Sequence, residues 1–376
     1  MAAFMELALY DPTLGYYARA AQRSGRAGDF FTSVDVGPAF GQLLAEQFAE
    51  MADILAVSSP AAEPSAAPHR PSPGFDLVEA AAGNGRLSFD VMNALEAGHA
   101  GVYSRTALHL VERSDEARRA QAGTLGAHAS HLTSSSAHVP DAFEGVLFAN
   151  ELLDAMPVHQ VVMRESGLQE VFVAGTARGL RTIEGEPSTP ALEAYLKDAG
   201  VALEAGWRAE INLAAAEWMR EAARRIRRGF IVLFDYGHDA RELYSVTHAS
   251  GTLTTFSRHT SAGPEASGPA WLVRPGEQDI TAHVDFSTVR RVAREEGLET
   301  IALLDQTYFV LGILTHAFKQ PASNPLNQLN PLNPLNRSLK TLLMPGGLGS
   351  TMKVLILGKN VSALHLMGCS FSTRVT

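Results

Sequence analysis

The feature that most constrains this chain is an alternation that recurs along it: a short apolar run, then a polar or glycine-rich turn, then a segment whose apolar residues repeat at helical spacing. Residues 75–79 (Phe-Asp-Leu-Val-Glu) form the first run, a glycine turn follows, and residues 87–95 carry the helical period. A second unit runs through residues 107–112, with Ser114 as N-cap and a polar helix over 115–125. Apolar runs recur at 145–149 and 230–234, the latter preceded by a helical pattern over 213–227. Strands buried on both faces read as unbroken apolar runs, and strands that alternate with helices are joined by crossovers. The expected fold class is therefore α/β, Rossmann-like, with a doubly wound and mostly parallel sheet.

Several segments stand outside that alternation. Residues 58–74 hold five prolines and no large apolar side chain, so they are expected to form a linker. Residues 1–57 read as an N-terminal helical appendage, with Phe40, Leu43, Leu44, Gln47 and Phe48 at helical spacing. Core residues 75–157 lead into an insertion over 158–212, where runs 158–164 and 168–174 flank Glu165-Ser166-Gly167 as a hairpin. Such an insertion is expected to shape a substrate region. Residues 213–376 complete the core, with a helix over 286–296, strands over 300–304 and 352–357, and an Asn-Pro-Leu repeat over 324–336 read as a loop expansion.

Charge narrows the function. With 31 Lys and Arg against 40 Asp and Glu the net charge is −9, which argues against a general nucleic-acid-binding surface. A lone cysteine, Cys369, permits no intramolecular disulfide and points to a reducing compartment. No apolar stretch approaches the roughly 20 residues of a membrane helix, and the first residues carry no secretion signal. The expectation is a soluble, cytoplasmic-type protein.

Three groups of residues carry chemistry. Glu79-Ala80-Ala81-Ala82-Gly83-Asn84-Gly85 links a strand to a helix, and Gly83 and Gly85 admit close approach of a ligand to backbone amides at the helix start. Small residues there equally serve helix–strand packing. Glu112 ends the next strand, where a carboxylate can accept from the diol of an adenosine ribose. An ordinary strand-end carboxylate is the other account. Glu79 ahead of the glycines would repel a pyrophosphate but tolerate a sulfonium, which favours S-adenosylmethionine over a nicotinamide dinucleotide. Asn150, Glu151 and Asp154 follow the 145–149 run and are suited to hold a cationic acceptor, although a helix cap explains Asn150 and one acid equally well. Asp279, His283 and Asp285 are read as a loop with helix caps, and no metal site is expected.

With these placed, the chain resembles a family of S-adenosylmethionine-dependent methyltransferases, the group containing the mitochondrial complex I assembly arginine methyltransferase and its bacterial homologues. The resemblance rests on Phe4-Met5-Glu6-Leu7-Ala8-Leu9-Tyr10-Asp11-Pro12, Gly15-Tyr16-Tyr17, Gly28-Asp29-Phe30-Phe31-Thr32-Ser33, the glycine turn, residues 150–160, Asp235-Tyr236-Gly237, residues 275–286, Gln306 and residues 339–345. It implies a class I methyltransferase whose cofactor lies against Glu79, Ala81, Gly83, Gly85, Glu112 and Asn150, under a loop carrying Gly28, Asp29, Thr32 and Ser33. Ala81 stands where the family usually has its first glycine. An arginine acceptor on a protein, and a link to complex I assembly, come from the resemblance alone. Glu151 and Asp154 are then the expected guanidinium clamp, with His159 or Asp235 accepting the proton. A non-catalytic assembly protein on the same fold and a small-molecule methyltransferase remain alternatives.

Overall fold

The computed structural model describes residues 1–20, 37–57, 74–177, 179–257, 260–262, 264–265, 268–317, 334–343, 351–362 and 365–371. The proline-rich segment over 58–73, the loop with Gly28, Asp29, Thr32 and Ser33, and most of the Asn-Pro-Leu repeat lie outside these residues. Two compact units are formed, one from the described parts of Met1–Phe31, Glu151–Glu221 and Asp235–Glu295, the other from those of Thr32–Asn150, Ala222–Phe234 and Glu296–Thr376.

The second unit holds the central sheet. Its strands are β1 (Phe75–Ala80), β2 (Thr106–Val111), β3 (Leu132–Ser136), β4 (Phe143–Asn150) and the first nine residues of a long strand, Ile226–His238, together with Glu299–Asp305 and Met352–Lys359. β1 pairs in parallel with β2 on one side and β4 on the other, β2 with β3, and β4 with Ile226–His238. The chain thus starts in mid-sheet, runs outward to β3 and returns to β4, which puts the change of direction between β1 and β4. Glu299–Asp305 and Met352–Lys359 pair antiparallel and extend the sheet beyond Ile226–His238. The doubly wound, mostly parallel sheet expected from the apolar runs is what forms.

Those runs become strands because both sheet faces are covered. Leu77, Val78, Leu108, Leu110, Val146, Leu147, Phe148, Phe230 and Ile231 are fully buried, each such side chain contributing about 1.5–3 kcal/mol relative to exposure. Helix Ala39–Val57, read from the sequence as part of an appendage, is instead a layer of this core. Phe48 packs on Phe148 with ring centroids 4.9 Å apart and Phe40 on Phe234 at 5.2 Å. The helix buries twelve of its nineteen residues, because it is covered by the sheet and by helix Arg86–Gly98 together. At Gly41 a Cβ would stand 2.6 Å from Asp90 Cβ, so glycine sets that helix–helix approach. Another difference lies near the C-terminus: residues 334–336 of the repeat open helix Pro334–Leu343, with proline in the first turn where its missing amide costs nothing.

The first unit contains an antiparallel sheet of β5 (His159–Arg164), β6 (Gly167–Thr176), β7 (Gly179–Gly185) and β8 (Arg208–Ile211), in the order β7-β6-β5-β8. Arg164 pairs with Gly167 across the expected hairpin turn. Val161, Leu168 and Ile211 pack with Leu192, Tyr195 and Leu196 of helix Ala191–Asp198. Met5, Ala8 and Leu9 of helix Ala2–Tyr10 pack with Val158, Trp271 and Ile280. Among the described residues no helix is long and apolar enough to cross a membrane.

Candidate active site

Strand ends and the turns after them build the first group of residues. After β1 the chain enters the glycine turn: the Ala82 amide donates to Val111 O at 3.0 Å and the Gly85 amide to Ala82 O at 2.8 Å. Gly83 and Gly85 take φ of +51° and +85°, conformations open to glycine at little cost. A Cβ on Gly85 would meet Leu110 Cδ1 at 3.1 Å, whereas one on Gly83 would meet nothing within 4 Å. A side chain at Gly85 would press on Leu110, whereas Gly83 borders open space that a ligand can use.

Glu112, one residue past the β2 pairing with β1, reaches back to this turn. Its Oε2 accepts from the Gly83 amide at 2.9 Å and its Oε1 from the Ser114 amide at 2.8 Å. Gln121 was not singled out by sequence reasoning, since a lone glutamine on a polar helix gives no signal. Its Nε2 donates to Gly83 O at 2.9 Å while its Oε1 accepts from Ser135 Oγ at 2.6 Å. Residue Ala80 is in register with Ala149, so Asn150, the last residue of β4 and paired with Phe234, stands one position further on, beside the glycine turn.

Two more of the expected cofactor residues, Glu79 and Ala81, flank the start of this turn. Glu79 is buried and turns to helix Arg86–Gly98, where its Oε2 accepts from the Ser88 amide at 3.1 Å and contacts Ser88 Oγ. It satisfies a first-turn amide that no side-chain cap at Gly85 can reach. Burial pushes its pKa up to about 8 against the opposing hydrogen bonds from Ser88. Ala81 has φ of +57°, a conformation that costs a residue with a Cβ about 1–2 kcal/mol. The residue type there departs from what the backbone asks for.

A second group gathers carboxylates in the first unit. Glu151 follows β4 with φ of +53°, and Asp154 lies in the turn beyond it. Asp154 is buried, and its Oδ1 has no hydrogen-bond partner among the described residues. Burial first, then the charges of Asp235, Glu151 and Asp279, hold its pKa well above the usual carboxylate range. Asp235 is buried too, but its oxygens are taken: Oδ2 accepts from the amides of Leu152 at 3.2 Å and Leu153 at 2.7 Å, and Oδ1 from Tyr236 N at 2.9 Å. Burial nonetheless raises its pKa to about 7. Its geometry is that of a brace for the turn carrying Asp154.

His159, the other expected proton acceptor, is engaged elsewhere: its Nδ1 lies 2.7 Å from Glu170 Oε1 on the neighbouring strand β6. Two tyrosines that spacing did not single out join this group. Tyr17 OH donates to Asp279 Oδ1 at 3.0 Å, and Tyr10 OH donates to Ala155 O at 2.9 Å. Both lie far in the chain from these partners, in stretches that carried the family resemblance without an assigned role. Asp285 behaves as the cap expected of it, with Oδ1 accepting from the amides of Ser287 and Thr288 at 3.0 and 3.2 Å.

Comparison with known proteins adds an independent line. Residues 43–304 match the family described as "S-adenosyl-L-methionine-dependent methyltransferase". The chain is 29% identical over 321 residues to the mitochondrial protein arginine methyltransferase NDUFAF7 of Mus musculus, covering 78% of this chain and 66% of that protein. It is 28% identical over 331 residues to the Drosophila melanogaster homologue, covering 79% and 67%. The chain thus spans about two thirds of the length of these curated relatives. A protein from Burkholderia thailandensis, solved bound to S-adenosylhomocysteine, superposes with a TM-score of 0.80 at 28% identity, over 99% of this chain and 90% of that one.

Proposed function

We propose, on the premise that this chain belongs to the S-adenosyl-L-methionine-dependent methyltransferase family, that it transfers a methyl group to an arginine side chain of a protein. The family's cofactor is S-adenosyl-L-methionine, which when bound supplies a methyl group activated by its sulfonium. The residues at the glycine turn fit that cofactor: Gly83 borders open space, and Glu112 stands at the strand end with further lone pairs on both oxygens for a ribose diol. Asn150, beside the turn, and Ala81 complete the proposed cofactor set, and Glu79 acts beneath it by holding the helix start.

The observation that carries the arginine reading is the buried, unpartnered Asp154 Oδ1 among acidic neighbours. A guanidinium is planar, always charged and rich in donors. Placed there it would meet the orphaned oxygen, relieve the mutual repulsion of the carboxylates and draw Asp154 to its ionised form. A guanidinium is also a weak nucleophile, so it must be oriented and its charge localised away from the attacking nitrogen. Asp154 with Glu151 does this, Asp235 keeps the turn in place through the amides of Leu152 and Leu153, and Asp154 then takes the proton that nitrogen loses. His159, held by Glu170, steadies the inserted sheet. The names of the NDUFAF7 relatives support the same acceptor.

The test is methyl transfer from radiolabelled cofactor by the full chain into a proteome extract, followed by acid hydrolysis. Label recovered as methylarginine, lost in Asp154→Asn while S-adenosylhomocysteine still binds by calorimetry, is the expected result. Label confined to small molecules, or transfer undiminished in Asp154→Asn, overturns the assignment of the acceptor.

A further inference from the structure

We propose that His238, His248 and His283 form a binding site for a divalent transition metal of the zinc class. The three residues come from separate segments, and the fold brings one ligand atom of each within 4.8 Å of the others. His238 ends the long strand Ile226–His238, whose residues Gly237 and His238 pair with Val284 and Asp285, and this places His283 beside it. His248 ends the short turn Val246–His248. Ring centroids are 4.9 Å apart for His238 and His248, 5.3 Å for His238 and His283, and 5.8 Å for His248 and His283. Nitrogens bound tetrahedrally to zinc at ~2.0–2.1 Å are roughly 3.3 Å from one another, so small rotations of the rings close the site.

The surroundings are those of a ligand set. Glu242 Oε1 lies 3.0 Å from His238 Nδ1, and the Glu242 carbonyl oxygen lies 3.1 Å from His248 Nδ1. The Glu242 carbonyl oxygen thereby orients the His248 ring, as outer-sphere partners do at metal-bound histidine, while His238 Nδ1 is buried beside the Glu242 carboxylate. His283 is held by its backbone amide, which donates to Thr252 Oγ1 at 3.1 Å, while its Nδ1 is buried with no hydrogen-bond partner among the described residues. Three imidazoles select a zinc-class ion over calcium or magnesium, which take oxygen ligands. Three protein ligands leave a fourth position for water or another donor. The bound ion would tie the end of the strand, the 246–248 turn and the segment ahead of helix Phe286–Glu295.

The experiment uses the full, tag-free chain stripped with chelator and titrated with cobalt(II), then zinc(II). One equivalent of cobalt should give visible d–d absorption that zinc abolishes. X-ray absorption at the zinc edge should show a nitrogen shell at ~2.0–2.1 Å with imidazole scattering. His248→Ala should weaken binding more than ~100-fold, and Glu242→Gln, on an exposed side chain that does not touch the ion, about tenfold. A folded wild type that takes up no cobalt or zinc overturns the proposal. So does a shell of oxygens alone, or unchanged affinity in His248→Ala with native circular dichroism. Should that variant fail to fold, the absorption spectrum of the wild type decides.

Discussion

The Gly83 amide donates to Glu112 Oε2 at 2.9 Å, so one carboxylate at the end of β2 fixes the turn at the end of β1. The two residues are 29 apart in the chain, and parallel pairing of β1 with β2 is what makes the reach possible. This bond turns a flexible glycine into a defined surface for a ligand.

Replacing Glu112 by glutamine should expose that dependence. The amide side chain keeps one acceptor oxygen, so either Gly83 N or Ser114 N loses its partner. Loss of a charge-assisted bond costs about 1.5–3 kcal/mol when buried; Glu112 is only half-buried, so the lower end applies. S-adenosylhomocysteine should bind about tenfold more weakly in calorimetry, with a modest drop in stability to urea. Wild-type affinity in a folded Glu112→Gln would remove Glu112 from the cofactor site.

Much of this fold is legible in the sequence. Parallel strands buried on both faces leave apolar runs such as residues 145–149 and 230–234, and the hairpin around Glu165-Ser166-Gly167 announced itself by its turn. Helix Ala39–Val57 misled because a helical period reports one buried face and says nothing about what covers the rest. Asp235 looked catalytic beside a strand end, yet its oxygens serve the amides of Leu152, Leu153 and Tyr236; sequence does not reveal which way a carboxylate turns. The histidine cluster was invisible because His238, His248 and His283 meet only through the pairing of Gly237 with Val284. Strands of two to four residues in that part of the chain carry too little periodicity to read.

Ala81→Gly should stabilise the protein. Its φ of +57° costs alanine about 1–2 kcal/mol, while glycine adds about 0.4–1 kcal/mol of unfolded-chain entropy. The net gain is about 0.5–1 kcal/mol, visible as a higher urea midpoint with an unchanged slope. A lower midpoint would mean that the methyl group packs usefully at this exposed position.

Glu79 governs a stability change with pH. Its pKa is about 8 in the folded protein against about 4.3 for a free side chain, so between these values the folded state holds a proton that the unfolded chain has lost. By linkage the stabilisation is full below about pH 4 and is lost as pH rises through 8, with a slope approaching ~1.4 kcal/mol per unit. Glu79→Gln, which cannot ionise but can still pair with Ser88, should flatten this part of the curve and overtake the wild type above pH 8. Parallel urea titrations from pH 5 to 9 make the comparison, and identical slopes would show that Glu79 ionises freely.

Asp154 offers the sharpest link between electrostatics and acceptor. Its folded pKa is held well above the usual carboxylate range by burial first and then by the charges of Asp235, Glu151 and Asp279, so without a cation the fold favours its protonated form. A bound guanidinium requires the ionised form, and binding must therefore release that proton. Below the pKa of the group, affinity for an arginine peptide should rise about tenfold per pH unit, since each released proton contributes a unit slope to log K. Calorimetry in buffers of different ionisation enthalpy counts the proton directly. In Asp154→Asn both the pH slope and the proton release should vanish and affinity should fall. A wild type that binds the peptide with an affinity independent of pH would show that the acceptor's charge does not rest on Asp154.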